Sequence, residues 1–305
     1  MRRLSLLFVL AAFLIPQLSA EKSFWTTKNA YLGLTPPRDI PRPFFPGLVK
    51  DPGAFMMGRV AFSRDGKEFY FAQNDSWESG AHAQLKMIRF ESDGWTKPVV
   101  VAEQMLSPTF SMDDKTLYMR KGGMTNLWAS RRLGSESRDL WAAPSEIYDK
   151  GLGVYDYMPT LSGNAYVGSE PSDEDKKNGI TYAFSVLKTE GEKPNVTSLG
   201  EPINEPGFNG DLYIAPDESY MIVSAKETAT FESELWISFH KHDGTWTAPV
   251  SLGPNINDGL AHRWGQYVTP DGKYLFYSHG TSEKDCTIYW VRWDTLLEKL
   301  RPKDL

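Results

Sequence analysis

Cysteine is all but missing. Cys286 is the single one in 305 residues, so no intrachain disulfide framework holds the chain and its stability has to come from packing. Cys286 lies in an apolar stretch that reads as a buried strand, and outside the N-terminal leader, which removes it as a lipidation site. Long apolar runs are as scarce. The one present, Leu4 to Ile15, follows Arg2 and Arg3 and precedes Pro16 and Leu18-Ser19-Ala20, the layout of a cleaved export signal. It falls short of the roughly 20 residues of a membrane span. Residues 1–20 are therefore expected to be a signal peptide, with a periplasmic or secreted product and no integral membrane segment after cleavage. Positive charge is also in short supply, with 33 Lys and Arg against 39 Asp and Glu. Loss of the leader moves the net charge from −6 to −8, which argues against nucleic acid as a partner, since that needs a basic face. No Gly-rich phosphate loop follows a strand, and no Gly-x-Ser-x-Gly elbow occurs.

What the chain has instead is aromatic residues and turn formers: 16 Phe, 14 Tyr and 10 Trp beside 25 Gly and 20 Pro. That mixture fits many short strands joined by turns. The clearest unit is Gly265 to Ser278, two alternating apolar stretches flanking Pro270-Asp-Gly-Lys273, which reads as a hairpin. Related stretches begin at Val60, Pro108, Pro159 and Leu212. Aligning Ser63, Ser111, Ser162, Ala215 and Thr269 gives intervals of 48, 51, 53 and 54 residues. A period near fifty with internal strand pairs predicts the blades of a β-propeller.

Each copy continues into an aromatic strand and then a stretch with Trp followed by Pro, as in Leu85 to Phe90 leading to Trp95 and Pro98, or Leu235 to Phe239 leading to Trp246 and Pro249. Four strands per copy give an all-β fold, a five-bladed propeller of four-stranded antiparallel blades near 55–104, 105–150, 155–204, 208–255 and 262–300, within a single domain over 21–305. The fifth copy has no Trp-Pro stretch of its own and runs into a short helix from Thr295. A bare sheet edge is a pairing hazard, and Phe24 to Gly33 resembles Thr245 to Gly253 in spacing. Residues 23–33 are therefore expected to pair as the outer strand of the last blade and close the ring, with the Pro-rich passage 36–46 crossing to the first inner strand.

With these hairpins the chain resembles the TolB-like propellers, whose repeat is a Ser-Pro-Asp-Gly-Lys turn between an inner and an aromatic strand. Phe62-Ser-Arg-Asp-Gly-Lys67, Ala215-Pro-Asp217 and Thr269-Pro-Asp-Gly-Lys273 carry the likeness, and Cys286 to Val291 is similar to the last strand of many exported bacterial members. The resemblance covers nearly all of the expected mature chain. It implies a scaffold of the kind that binds proteins, accompanies carbohydrate-active enzymes or forms the non-catalytic half of peptidases. Five blades, and the lack of an additional N-terminal domain, set the chain apart from TolB itself.

Propeller ligands are expected on the face formed by the loops between second and third strands and between blades, since loops on a rigid scaffold carry function. The candidate binding residues there are Trp77, Glu78, His82, Asp156, Tyr157, Asn209, Asp211, His262, Arg263, Trp264 and His279. Trp77, Tyr157 and Trp264 read as loop aromatics able to stack on a sugar or anchor a peptide. His82, His262 and His279, with Asp75, Glu78 or Asp258, have the ligand types of a zinc or manganese site, but surface histidines bonded to loop backbone are the favoured reading, so neither metal nor cofactor is expected. Asp156, Asp211 and Glu232 are the candidate carboxylates for a glycoside hydrolase or polysaccharide lyase, an alternative that needs carboxyls roughly 5 to 9.5 Å apart. The turn His242 to Trp246 lacks the leading residues of a sialidase Asp-box, and Asn195-Val-Thr197 is a glycosylation tripeptide of a kind common by chance. The sequence thus points to a non-catalytic binding scaffold for a protein, peptide or glycan.

Overall fold

A computed structural model describes residues 23–44, 47, 55–76, 80–92, 94–122, 126–134, 140–147, 155–190, 193–208, 210–226, 228, 232–282, 285–303 and 305. The expected signal peptide lies outside them. After a two-residue strand β1 (Arg42–Pro43), blade one holds β2 (Phe55–Phe62), β3 (Glu68–Asn74) and β4 (Gln84–Glu91), with β5 (Gly94–Trp95) and β6 (Val99–Glu103) both paired to β4. Blade two is β7 (Met105–Phe110), β8 (Thr116–Lys121), β9 (Leu127–Arg131) and β10 (Ser145–Glu146). Blade three is β11 (Tyr155–Pro159), β12 (Ala165–Ser169), β13 (Ala183–Glu190) and β14 (Lys193–Ser198), with a short helix α1 (Asp173–Lys177) between β12 and β13. Blade four is β15 (Leu212–Ile214), β16 (Tyr220–Ala225), β17 (Glu234–Phe239) and β18 (Val250–Ser251). Blade five is β19 (His262–Val268), β20 (Tyr274–Gly280) and β21 (Thr287–Arg292), completed on its outer edge by β1 and followed by α2 (Asp294–Leu300). All pairs are antiparallel, and the five sheets form a five-bladed β-propeller. The second strands of blades one and four, β3 and β16, are buried along their whole length. Each blade is sandwiched between two others, so both faces of an inner strand need apolar cover and strict alternation is lost.

The turn between the first two strands of a blade is built alike around the ring. In blade one the Ser63 hydroxyl donates to Asp65 Oδ1 (2.7 Å), which also accepts from Lys67 N, and Gly66 has φ +77°. Blade five repeats this with Thr269, Asp271 and Gly272. Blades two and four put Asp114 (φ +57°) and Glu218 (φ +61°) where the glycine stands, a conformation that disfavours side chains. Both carboxylates reach the preceding blade. Asp114 accepts from Arg64 N (2.7 Å), and Glu218 accepts from Thr160 (2.7 Å), Tyr166 (3.1 Å) and Ser162. The alignment of blade three shifts by two residues: Thr160 N bonds to Asn164 O where Ser111 N bonds to Thr116 O, so Thr160 occupies the place expected of Ser162.

Ring closure differs from the expectation. Residues 23–33 form two 3₁₀ turns, Phe24–Thr26 and Ala30–Gly33, in which Tyr31 and Leu32 have φ of +52° and +58°, and the closing strand is β1, pairing Arg42 with Trp290 and Pro43 with Tyr289. The reason is visible in the other blades. Trp141 and Trp246 make only single bridges, to Arg132 and His240, and the outer strands begin just beyond the prolines, at Val99, Ser145 and Val250. Proline lacks the N–H a ladder needs and starts or borders an edge strand. The N-terminal segment obeys the same rule: Trp25 packs, and the strand starts after Pro41. Trp25 is buried, its indole donates to Arg64 O (2.9 Å), and its ring lies 5.5 Å from that of Phe62. Tyr31 donates to Asp271 Oδ2 (2.5 Å) and packs edge-on against Tyr274. Segment 23–33 thus wedges blades five and one together without extending a sheet.

Candidate functional site

Inner strands of a propeller line its axis, and here four of the five are interrupted where they do so. The ladders shift register between Met57 and Ala61, Leu106 and Thr109, Tyr155 and Tyr157, and Trp264 and Tyr267. Gly58, Ser107, Asp156 and Gly265, within these shifts, all have positive φ. Such bulges turn side chains out of the ladder and toward a functional direction. Gly265 also sits against blade one, where a Cβ would meet the carbonyl carbon of Gly58 at 2.4 Å.

One side chain spans the axis. Arg59 belongs to blade one, yet its guanidinium bonds Thr109 Oγ1 in blade two (3.3 Å), the Asp156 carboxylate in blade three (3.0 Å) and Leu212 O in blade four (2.9 Å). Arg59 and Asp156 are both buried. Asp156 also accepts from Leu212 N and shares a hydrogen bond with the Asp211 carboxyl, which itself accepts from Gly265 N (2.8 Å). Burial, and then the Asp211 charge, push the Asp156 carboxyl up to about 6 against the opposing pull of Arg59 and Arg120. This cluster closes the channel with a polar plug. Beside it, Ser107, Arg120, Asn126 and Asp156 line a cavity of about 10 Å³, room for about one water.

The remaining expected site residues do not form one site. Trp77, Glu78 and Asn209 lie outside the described residues. His82 is exposed, with Nδ1 2.8 Å from the Asp75 carboxylate. Tyr157 and Trp264, expected on loops, are on β11 and β19. The ring of Tyr157 lies 4.5 Å from Tyr118, while Trp264 is buried among Met57, Phe55 and Cys286. The ring of His262 stacks on Trp264 at 3.9 Å, and burial lowers it to about 4. His279 is lowered by burial and then by the charge of Arg263, and its ring faces Tyr289 at 4.6 Å. Arg263 is buried and saturated by carbonyls of Ile256, Ser233, Ala261 and Asp258 and by the Asp258 carboxylate, so it holds blades four and five and has no donor left for a ligand. Among the described residues no group of three His, Cys, Asp or Glu side chains is placed to hold a metal ion.

Below the plug, on the side of the Asp-Gly turns, the channel widens into a cavity of about 650 Å³. Its wall is Thr109, Phe110, Met158, Tyr213 and Tyr267 from the inner strands, Tyr220 of β16, and Leu297 of α2 with Arg301 just beyond it. Arg64, Asp114 and Asp217 stand at the rim. Trp293 anchors α2 beside it, donating from its indole to Tyr220 Oη (2.9 Å). None of the eight expected binding residues that are described lines this cavity. Its residues belong to the regular, repeated part of each copy, which sequence variation between loops does not mark. Thr109, Met158, Tyr213 and Tyr267 could have been found as the residues two positions before Ser111, Thr160, Ala215 and Thr269.

The class defined by these features is a five-bladed propeller with a plugged channel and an open cavity on its turn side. No protein-family model matches the chain, and no curated protein matches it in sequence. Among solved structures it is similar to TolB from Acinetobacter baumannii, at 12% identity and a TM-score of 0.42 over 77% of this chain and 54% of that one. It is also similar to a puromycin hydrolase, at 14% identity and 0.43 over 76% and 34%, and to a prolyl endopeptidase, at 12% and 0.41 over 82% and 41%. The chain thus spans less than two thirds of each of these proteins. Likeness at these values carries nothing about activity, and the five-bladed ring rests on the strand pairing itself. Among the described residues no helix is long and apolar enough to cross a membrane.

Proposed function

We propose that this chain is a binding scaffold that takes its ligand into the turn-side cavity and is not a hydrolase. The observation that carries the reading is the cavity itself: about 650 Å³ lies within the range of ligand pockets, and its apolar lining with a few polar groups is the composition such pockets have. A hydrolase or lyase would need carboxyls set apart to work on two sides of a scissile bond. Asp156 and Asp211 are instead engaged with each other, with Arg59 bound to Asp156, and neither carboxyl lines the large cavity. A protein, peptide or glycan would reach the cavity only with whatever part it inserts. The cleaved leader over 1–20, a single propeller domain over 21–305 and a periplasmic or secreted location belong to the same proposal. The test is a thermal-shift screen of the mature protein against peptide, glycan and small-molecule panels, with each hit located by amide hydrogen exchange. Protection within 109–117, 213–220 and 267–273 is expected. Protection confined to 80–84 and 257–264, or turnover of a hit, would sink the reading.

A further inference from the structure

Seven hydroxyl-bearing residues line the turn-side cavity, and six of the hydroxyls are bonded within the protein. Thr109 accepts from Arg59 and donates to Met158 Sδ, Ser111 donates to Asp113, and Ser219 donates to Asp217. Thr269 donates to Asp271. Tyr267 Oη accepts from Phe62 N and lies 3.3 Å from Phe62 O. Tyr220 Oη accepts from Trp293 (2.9 Å), and the Tyr213 hydroxyl beside it is the seventh. The walls therefore present aromatic faces and aliphatic edges to an occupant, with hardly a free donor or acceptor. The rim carries two arginines, Arg64 and Arg301, against two aspartates, Asp114 and Asp217, so it favours neither an anion nor a cation.

A sugar brings several hydroxyls, and a peptide brings an N–H and a C=O with every residue. Buried here, those groups would lose water without gaining partners. A single inserted side chain would leave most of about 650 Å³ unfilled, and unfilled space forfeits contacts. Resting on the reading of this cavity as the binding site, we infer that its occupant is a small, uncharged, ring-bearing apolar molecule, held by packing against Tyr213, Tyr267, Phe110 and Met158.

The test uses the mature full-length protein titrated with N-phenyl-1-naphthylamine, a neutral bicyclic probe whose fluorescence rises in apolar surroundings. Saturable binding at one probe per chain is expected, with no displacement by triacetylchitotriose or trialanine. Met158→Trp, which fills the floor, should weaken binding at least tenfold with an unchanged near-UV circular dichroism spectrum. If that variant fails to fold, Leu161→Trp, at a rim residue that is 64% exposed, should weaken it at least threefold. Displacement by the sugar or the tripeptide overturns the ligand class while leaving the cavity as the site. Absence of saturable binding, or binding that the folded variants leave unchanged, overturns the inference. The reading of the cavity as a site fails separately, if hydrogen exchange places an independently found ligand elsewhere.

Discussion

Asp156→Asn should make the protein more stable at neutral pH, although Asp156 is the ion-pair partner of a buried arginine. The carboxyl is raised from its ordinary 3.8 to about 6 by burial and by Asp211. A group raised in the folded state contributes stability that is fully present below its unfolded value and is lost as pH rises through its folded value. Between pH 4 and about pH 6 the unfolded chain has released the proton that the native plug still holds. A rise from 3.8 to about 6 corresponds to about 3 kcal/mol lost across that window. Asparagine is the isostere of the protonated acid. With Oδ1 kept toward Arg59, its amide stands where Oδ2 accepts from Leu212 N, so that one long bond (3.3 Å) is given up while the amide can donate to Asp211. Urea unfolding at pH 4.5 and pH 7.5 should show the variant gaining about 2 kcal/mol on wild type between the two. Asp156→Ala, which leaves Arg59 buried without this partner, should cost about 3–5 kcal/mol at both. A variant that loses the same stability at both pH values would show that Asp156 is held ionised throughout, and the shared-proton account of the plug would be wrong.

Two further outcomes concern the joints between blades. Trp25→Ala removes the wedge that rests on Gly66 and Phe62 and should cost about 3–5 kcal/mol in denaturant unfolding; a loss below about 1 kcal/mol would mean that blades five and one hold without it. Burial raises the Glu218 carboxyl, but its bonds from Ser162, Thr160, Tyr166 and Asn164 outweigh that and hold it below its ordinary 4.5. Its contribution is therefore present above 4.5 and lost on acidification. Glu218→Gln should cost about 1–3 kcal/mol at pH 7 and less at pH 3.5, and an equal loss at both would contradict the ionised state.

The blades were legible because their signals are local. Ser63, Asp65 and Gly66 mark a turn by the chemistry of three neighbouring residues, and blade five repeats all three signals while the other blades keep some of them. The closing strand was not legible, because Trp25 resembles Trp246 in sequence while neither sits in a regular strand; the likeness was real and concerned packing. Asp156 and Asp211 stood out as isolated acids, but nothing in the order of residues shows that an arginine 97 positions before Asp156 pairs with it across the axis. Tyr157 and Trp264 looked like loop aromatics because the bulges that re-aim the inner strands break the alternation by which strands are recognised. The large cavity escaped notice for the opposite reason. It is lined by the most regular positions of the repeat, and regularity reads as structure.

The two-residue strand β1 has a consequence for the order of folding. Arg42 precedes every blade and its partner Trp290 belongs to the last, so closing the ring is among the longest-range contacts in the molecule, and such contacts meet their loop-closure entropy only after the chain between them is in place. Blades one to four assemble from hairpins whose partners are near in sequence. The clasp of β1, Trp25 and Tyr31 must wait for blade five. Until then, both flanks of the growing stack offer open sheet faces, which makes the interval before closure the one in which a chaperone has most to hold.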